Sequence, residues 1–508
     1  MRVIDKFKQT RIGCSDSSLK TNFSIIKIHL RKNAKALCFL LLVLTAISCK
    51  KLVDVNGPVT STNSANVYEN DATVAAVLTG LYANMSGSGF LNGSIPSLSL
   101  FAGLSADELT LYDGIGDPAY IGYYTNSLSN KNTGFVDFWN NIYPSIYTVN
   151  SAIEGLTSSG SLTPVVKHQL LGEAKFLRAF YYFNLVTLYG DVPLALTSNY
   201  KVNSVLARSP AKQVYQQIIQ DLVDAQGLLS SDYLDATLLK TTVERVRPTK
   251  WAASALLARV YLYFGDVTND ASQYTSAVAQ SSILINNISL FGLSSLNNTF
   301  LKASLGNNEA IWQLQPVALG QNTQDALAFI IPSTGLSDPN NPVSINNDLL
   351  NSFEAGDQRK INWIDTVTSN GILYYFPYKY KVNTLNAPVT EYEMVLRLGE
   401  QYLIRAEAEA KLGNNAAVTD LNTIRNRAGL VNYVGAADKS SLLTAIFHER
   451  QVELFTEWGH RWLDLKRTGR AAAVLSPIKP NWQAYKELYP IPEAQLINDP
   501  NLTQNPGY

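Results

Sequence analysis

Cys49 sits where its surroundings specify a chemistry. It closes an apolar run in "LLVLTAISCKKLVDVNGP", residues 41–58, and two lysines follow it. Upstream stand Lys27, His29, Arg31, Lys32 and Lys35, then an apolar stretch from Ala36 to Ile47, then Ser48. A basic region, a short apolar core and a small residue before the cut make a secretory signal. The stretch is shorter than the roughly 20 apolar residues of a membrane span. Plain secretion needs no cysteine after the small residue. A bacterial lipoprotein signal does, because the thiol takes a diacylglyceryl group and becomes the new N-terminus. Plain secretion stays open as the alternative, since Ala46 stands where leucine is commoner. Cys14 and Cys38 both precede the cut. A chain beginning at Cys49 keeps no free thiol, which excludes disulfides, cysteine-ligated zinc and cysteine nucleophiles.

Other chemistry-bearing residues form weaker patterns. Paired carboxylates across a cleft would serve glycoside hydrolysis. Asp107 with Glu108, and Glu391 with Glu393, are the pairs to consider. "HERQVE" at 448 lacks the second histidine of a zincin. His168, His448 and His460 are the histidines after the cut, and their spacing puts them on separate helical faces. "YDGIGDP" offers Asp113 and Asp117 to calcium but lacks the full ligand spacing of a calcium loop, and reads as a turn. No glycine-rich phosphate loop with lysine and no Gly-x-Ser-x-Gly appears. Neither a metal nor a cofactor is expected.

Composition narrows the partners. Lys plus Arg and Asp plus Glu both number 41 in 508 residues, so no basic field points to nucleic acid. Charged residues are 16% of the chain, against about 25% in typical soluble domains. The polar surface must therefore come from Asn, Ser, Thr, Gln and the 27 tyrosines. Such a surface suits neutral, hydroxyl-rich ligands, and it is equally the ordinary make-up of many extracellular proteins.

The elements that must position these residues are mainly helical. Val166, Leu170, Ala174, Leu177, Tyr181, Leu185 and Leu188 step by three and four, one apolar stripe on an α-helix. Gly190, Asp191 and Pro193 stop it. Trp251, Ala255, Ala258 and Leu262 repeat the step, as do Tyr402, Ala406 and Ala410. Phe447, Leu454, Phe455, Trp458 and Trp462 are read as one face of a further helix. The blocks are rich in Ala and aromatics, and the first three end in Gly-Asp or Gly-Asn. That plan predicts an all-α fold of tetratricopeptide-like helix pairs, about four, stacked to bury faces none could bury alone. The pairs are placed at 138–187, 211–264, 251–287 (overlapping its predecessor) and 400–467. Residues 86–134 and 288–395 read as long irregular loops with a few short strands, such as "AIWQLQ" and "ILYYFPYKY".

Several of these stretches together resemble one family. "GEAKFLRAFYYFNLVTLYGDVPL", "FEAGDQRK", "LRLGEQYLIRAEAEAKLG", "LNTIRNRAGL", "ERQVELFTEWGHRWLDLKRTG" and "LYPIPEAQLINDPNLTQNPGY" resemble the SusD/RagB family, in family order, from about residue 50 to Tyr508. The resemblance implies a cell-surface lipoprotein of the outer membrane without catalytic activity. It implies a nutrient ligand, most often a glycan, and a partner TonB-dependent outer-membrane barrel of the SusC type, over which the lipoprotein sits as a lid. A glycan hydrolase at the cell surface is the alternative, and a structural scaffold a third. The organisation expected is a signal peptide over 1–48, a lipidated tether over 49–66 and a nutrient-binding domain over 67–508, with parts 67–300 and 301–508. Arg178, Arg405, Glu407, Arg425, Arg427, Glu449, Arg450, Arg461, Asp464 and Arg467 lie on striped helices. Charges so placed are expected to pair across stacked helices or cap their ends.

Sugars stack on aromatic rings while amides and hydroxyls read their hydroxyl groups. Aromatics off the helical stripes, in loops beside Asn, Gln or Asp, are therefore the site candidates. "LYDGIGDPAYIGYYTN" is the densest segment, with Tyr112, Tyr120, Tyr123 and Tyr124 near Asp113, Asp117 and Asn126. Trp312 in "AIWQLQ" is a second candidate, although its strand-like setting favours burial, and the loops over 313–345 are the fallback region.

Overall fold

The computed structural model describes residues 67–87, 97–131, 137–338 and 340–508. The expected signal peptide, Cys49 and the tether lie outside these residues. The first half is helical: α1 (Asp71–Gly87), α2 (Leu98–Ser105), α3 (Pro118–Tyr124), α4 (Phe138–Ser158), α5 (Pro164–Tyr189), α6 (Tyr200–Asn203), α7 (Ala211–Leu228), α8 (Lys250–Thr268) and α9 (Ala271–Ile285), with short strands β1 (Leu109–Leu111), β2 (Val192–Pro193) and β3 (Arg208–Ser209). Then come β4 (Ala310–Leu314), α10 (Gln324–Phe329), β5 (Val343–Ile345), α11 (Asn347–Ser352), α12 (Gln358–Asn362), β6 (Ile364–Ser369), β7 (Ile372–Pro377) and β8 (Glu393–Arg397). The chain closes with α13 (Leu398–Lys411), α14 (Ala417–Arg427), α15 (Lys439–Leu454), α16 (His460–Arg467), α17 (Ala471–Leu475) and α18 (Glu493–Asn498).

Local sequence explains where helices begin. Ser97, Asp117, Asp137, Asp270 and Asp438 are N-caps whose side chains accept backbone N–H groups of the first turn. Pro118 and Pro164 stand in the first turn, where proline's missing N–H costs nothing. Gly190 ends α5 at φ 73°, a left-handed conformation that glycine adopts without steric penalty.

Packing converts the stripes into a stack. Helices α4, α5, α7, α8, α9 and α13 lie against one another in that order, and α14 and α15 both pack on α13. All seven stripe residues of α5 are fully buried, and so are Phe176, Phe180 and Tyr182 on its other sides. A helix apolar on every side belongs inside a stack, with neighbours on both flanks. The expected all-α, tetratricopeptide-like architecture is therefore present, with one change to its pairing. The overlap of 211–264 with 251–287 arises because α8 packs against both α7 and α9. The span 400–467 holds four helices rather than one pair. The single face drawn from Phe447 to Trp462 is interrupted: α15 ends at Leu454, and Thr456, Trp458 and Gly459 take positive φ before α16 begins. Phe455 and Trp458 consequently join different hydrophobic clusters.

The strands pair two by two. β4 runs antiparallel to β8, and β6 forms a hairpin with β7 through Asn370 and Gly371, both at positive φ as a tight two-residue turn requires. β1 pairs with β5, with Leu109 opposite Ile345 and Leu111 opposite Val343.

The charged motif residues pair as expected. Arg178 grips Asp221 through two bonds of 2.8 and 2.7 Å, Arg405 grips Asp420, and Arg461 grips Asp107. Arg467 holds Glu407 at 2.6 Å through both oxygens, and Arg450 holds Asp464. A larger cluster centres on buried Arg397, which donates to Glu457 (2.7 Å), Glu309 (2.9 Å) and Glu453 (2.6 Å). Arg427 reaches the same Glu309 and Glu453, and Arg359 meets Glu453 and Glu449. These ions tie the final helices to the inserted strands. No helix among the described residues is long and apolar enough to cross a membrane.

Candidate functional site

Two separate stretches meet because β1 and β5 pair. The ladder continues past β1: the Tyr112 N–H donates to the Pro342 carbonyl at 2.8 Å. This brings the tyrosine-rich segment 112–126 against the loops of 313–345. A cleft of about 350 Å³ opens between them, lined by Leu100 and Tyr120 on one side and by Gln324, Leu327, Ile330, Asn340 and Asn341 on the other, with Asn383 nearby. Its size lies at the lower end for small-ligand sites.

Each wall has a local cause. Asp117 caps α3 by accepting the Ala119 N–H at 2.7 Å, and this sets Tyr120 in the first turns facing inward. Thr323 caps α10 in the same way through the Ala326 N–H, which places Gln324 and Leu327. Asn341 is an internal strut: its Nδ2 donates to the carbonyls of Leu327 (3.2 Å) and Ile330 (2.9 Å), and its backbone bridges Ser337. Burial holds the Tyr120 phenol well above the usual tyrosine range, and the carboxylates of Asp117 and Asp338 push it the same way. Tyr120 therefore faces the cleft as a neutral hydroxyl. Among the described residues the lining holds no Lys, Arg, Asp or Glu. Amides, a phenol and apolar walls can read hydroxyl groups and cover the apolar faces of an uncharged ligand.

The five aromatic candidates separate on burial. Tyr120 lines the cleft, though only 1% of it is exposed, so it presents an edge rather than an open ring. Tyr123 is a core residue, packed against Phe101 at 4.9 Å and Tyr489 at 5.2 Å. Trp312 is fully buried among Tyr82, Phe176 and Phe180, and its Nε1 donates to the Val246 carbonyl at 3.1 Å. Neither ring can stack on a ligand, and both leave the candidate set. The reason for Tyr123 is α3: the segment that reads as a glycine-loosened loop is helical, and one side of a helix faces the core. Tyr112 and Tyr124 are half-buried and do not line the cleft. Tyr112 lies over Gly114, and Lys479 sits 4.2 Å above the Tyr124 ring. The amides that do line the cleft were not singled out from sequence. The run Asn340-Asn341-Pro342 was the available signal, inside the fallback region.

The carboxylates considered for hydrolysis have structural partners. Asp107 is held by Arg461 through two bonds of 2.7 Å. Glu108 is buried and accepts the Thr456 N–H at 3.2 Å; burial and the neighbouring Asp107 push its pKa up to about 8. Glu391 caps the backbone N–H groups of Lys381 and Val382. Glu393 lies inside beside Asp325, and burial and that neighbour hold it well above the usual carboxylate range. Asp117 is spent as a helix cap rather than offered to calcium. One trio among the described residues, Glu354, His448 and Glu449, converges closely enough for a cation. Arg425 and Arg359 already sit on its carboxylates at 2.5 and 2.6 Å, so cationic charge occupies the place an ion would take.

Comparison with known proteins finds a family for the sequence and the fold. The family described as "Starch-binding associating with outer membrane" matches residues 54–262, and the SusD family matches residues 301–508. SusD-like protein P2 of Formosa agariphila is 27% identical, across 92% of this chain and 99% of its own. A SusD-like protein of Bacteroides ovatus is 26% identical over 74% of this chain and 73% of its own. Among solved structures, a SusD superfamily protein of Bacteroides vulgatus superposes with a TM-score of 0.72 at 21% identity, over 86% of this chain and 99% of that one. A laminarin binding SusD-like protein superposes with a TM-score of 0.68 at 25% identity, over 87% and 100%. The two family matches, which together span most of the chain, the relative matched over almost its full length and the shared helical stack lead to one conclusion: this chain belongs to the SusD/RagB family.

Proposed function

We propose that the protein is a cell-surface lipoprotein that binds a neutral glycan and passes it to a TonB-dependent outer-membrane barrel. The observation that carries the binding part is the uncharged amide and phenol cleft joined across β1 and β5. Family membership supports the same reading, since relatives carry starch and laminarin in their names. Binding without hydrolysis is favoured because each carboxylate considered for catalysis is engaged in caps, ion pairs or burial. The lipid anchor rests on the Cys49 signal, and the barrel partner on the family.

Affinity electrophoresis through gels containing laminarin, starch or other neutral polysaccharides tests the binding reading. Retardation in at least one gel, with no new reducing ends, is the expected result. Retardation in none would overturn it. For the anchor, labelled fatty acid should enter the parent and not Cys49→Ala, and label in both would refute acylation there. Gentle detergent extraction should bring down a large barrel with the protein. An interface of that kind buries on the order of 2,000 Å² or more and persists through purification.

A further inference from the structure

A second groove lies on the first helices of the stack and shares no lining residue with the cleft. It encloses about 440 Å³ between α4, α6, the segment after β2 and α18. Its rings come from α4 and α6: Tyr143 and Tyr147 are a helical step of four apart on one face, and Tyr200 stands opposite. Tyr147 is 51% exposed and Tyr200 69% exposed, and no hydrogen bond engages either hydroxyl among the described residues. Both rings therefore offer open faces at the groove.

The floor and walls are polar and braced. Tyr143 is fixed by its hydroxyl donating to the Pro193 carbonyl at 2.9 Å. Asn150 below it donates to the Ala195 and Thr197 carbonyls and accepts from Arg178. Gln495 of α18 donates to Asn140 Oδ1 at 2.6 Å, which holds the C-terminal wall to α4. Pro144 has no N–H to return to the Asn140 carbonyl, so that helix acceptor loses its usual donor. Asn203 donates to the Thr197 carbonyl at 2.7 Å, yet its own Oδ1 is buried and accepts from no described group. The one carboxyl among the described lining residues, Asp499, is buried and caps the Asn501 N–H.

We infer that this groove is a second saccharide subsite, taking a short uncharged stretch of the same polymer. Tyr147 and Tyr200 supply the stacking faces, and the exposed Asn498 meets sugar hydroxyls. The inference rests on the glycan reading of the cleft and adds a second contact to it. A polymer held at two points on one protein is retained more strongly than its short fragments, because the second contact is intramolecular.

The test uses Tyr147→Ala, Tyr200→Ala and their combination, both exposed positions where truncation leaves the core intact. Retardation is measured in laminarin and starch gels, and binding of laminari- and malto-oligosaccharides by calorimetry. The combined variant is expected to lose at least fivefold in retention on the polysaccharide the parent binds, with unchanged melting temperature and unchanged stoichiometry at the cleft. Parent-like retention by the combined variant would overturn the subsite while leaving the cleft reading standing. A parent retained by neither polymer nor any further neutral polysaccharide would overturn both. Loss of a co-purifying barrel by the combined variant, with glycan retention intact, would make the groove a protein contact and also overturn the subsite.

Discussion

Tyr112 and Pro342 are hydrogen-bonded at 2.8 Å across 230 residues of sequence, and that bond continues the β1–β5 ladder to the mouth of the cleft. It turns two distant loops into opposite walls of one site. The wall beyond Pro342 is then held by Asn341, whose amide satisfies two carbonyls of the α10 segment. Asn341→Ala removes both bonds and leaves two carbonyls unmet, worth about 1–3 kcal/mol. The outcome expected is a glycan affinity lowered about tenfold or more, with a melting temperature reduced by a few degrees. Calorimetry against the retained polysaccharide, alongside thermal unfolding, checks it. A variant that melts lower yet binds as tightly as the parent would move the ligand away from this wall.

Asn340 is exposed and Asn383 half-buried at the same cleft, and neither is a strut of the fold. Their truncation separates binding from stability. Asn340→Ala and Asn383→Ala should each weaken binding by roughly two- to tenfold, the usual net value of one hydrogen bond. Melting temperatures should stay at the parent value, because surface changes away from special features move stability little.

Trp312 and Tyr123 should behave in the opposite way. Each fills a fully packed aromatic cluster. Truncation leaves a cavity, and Trp312→Ala and Tyr123→Ala should each cost about 3–5 kcal/mol of stability. Denaturant unfolding measures this directly. A Trp312→Ala protein of parent-like stability that fails to bind glycan would restore Trp312 as a ligand residue.

The contrast between these residues shows what local pattern carries. The α5 stripe was legible because a step of three and four over many residues has one physical explanation, and every residue in it is buried. Charge pairing on the motif helices was legible for a similar reason: ions on an apolar stripe must find partners. Residues 112–126 were harder. Gly114, Gly116 and Gly122 suggested an open loop, yet Asp117 followed by Pro118 is a helix start, and α3 turns Tyr123 into the core. The break between α15 and α16 was hidden because Leu454, Phe455 and Trp458 continue the apolar spacing while the backbone departs from the helix. The cleft itself depends on a three-residue ladder between distant segments, and nothing local in either segment announces its partner.

Arg397 makes the cost of the buried charges measurable. It stands among Glu309, Glu453 and Glu457, all buried. Removing it leaves carboxylates facing one another out of water. Arg397→Ala should destabilise by roughly 3–5 kcal/mol, since breaking a buried pair strands the remaining charge. Arg397→Lys should recover little of this, because one ammonium cannot reproduce the fork that meets three carboxylates. Retained stability in Arg397→Ala, read from chemical denaturation, would mean that Arg359, Arg427 and Lys379 suffice for the cluster.

Glu108 and His460 should bound the pH range of stability from opposite sides. Burial, then Asp107, raises Glu108 from an ordinary 4.5 to about 8, so the fold holds its proton more tightly than the unfolded chain does. Stability from this group is full below about pH 4.5 and is lost as pH rises through about 8. His460 shifts the other way. Burial lowers it from 6.5 to about 4, even with Glu400 3.9 Å away, so it is neutral in the fold. The unfolded chain takes up that proton first, and stability falls as pH drops from about 6.5 towards 4. Glu108→Gln keeps an acceptor for the Thr456 N–H and never ionises. It should match the parent at pH 5 and exceed it in stability at pH 9, flattening the alkaline limb while leaving the acid limb unchanged. Unfolding midpoints in urea at pH 5, 7 and 9 decide the matter, and an alkaline limb identical in parent and variant would place the titration elsewhere, with Asp325 and Glu393, buried side by side, the next pair to test.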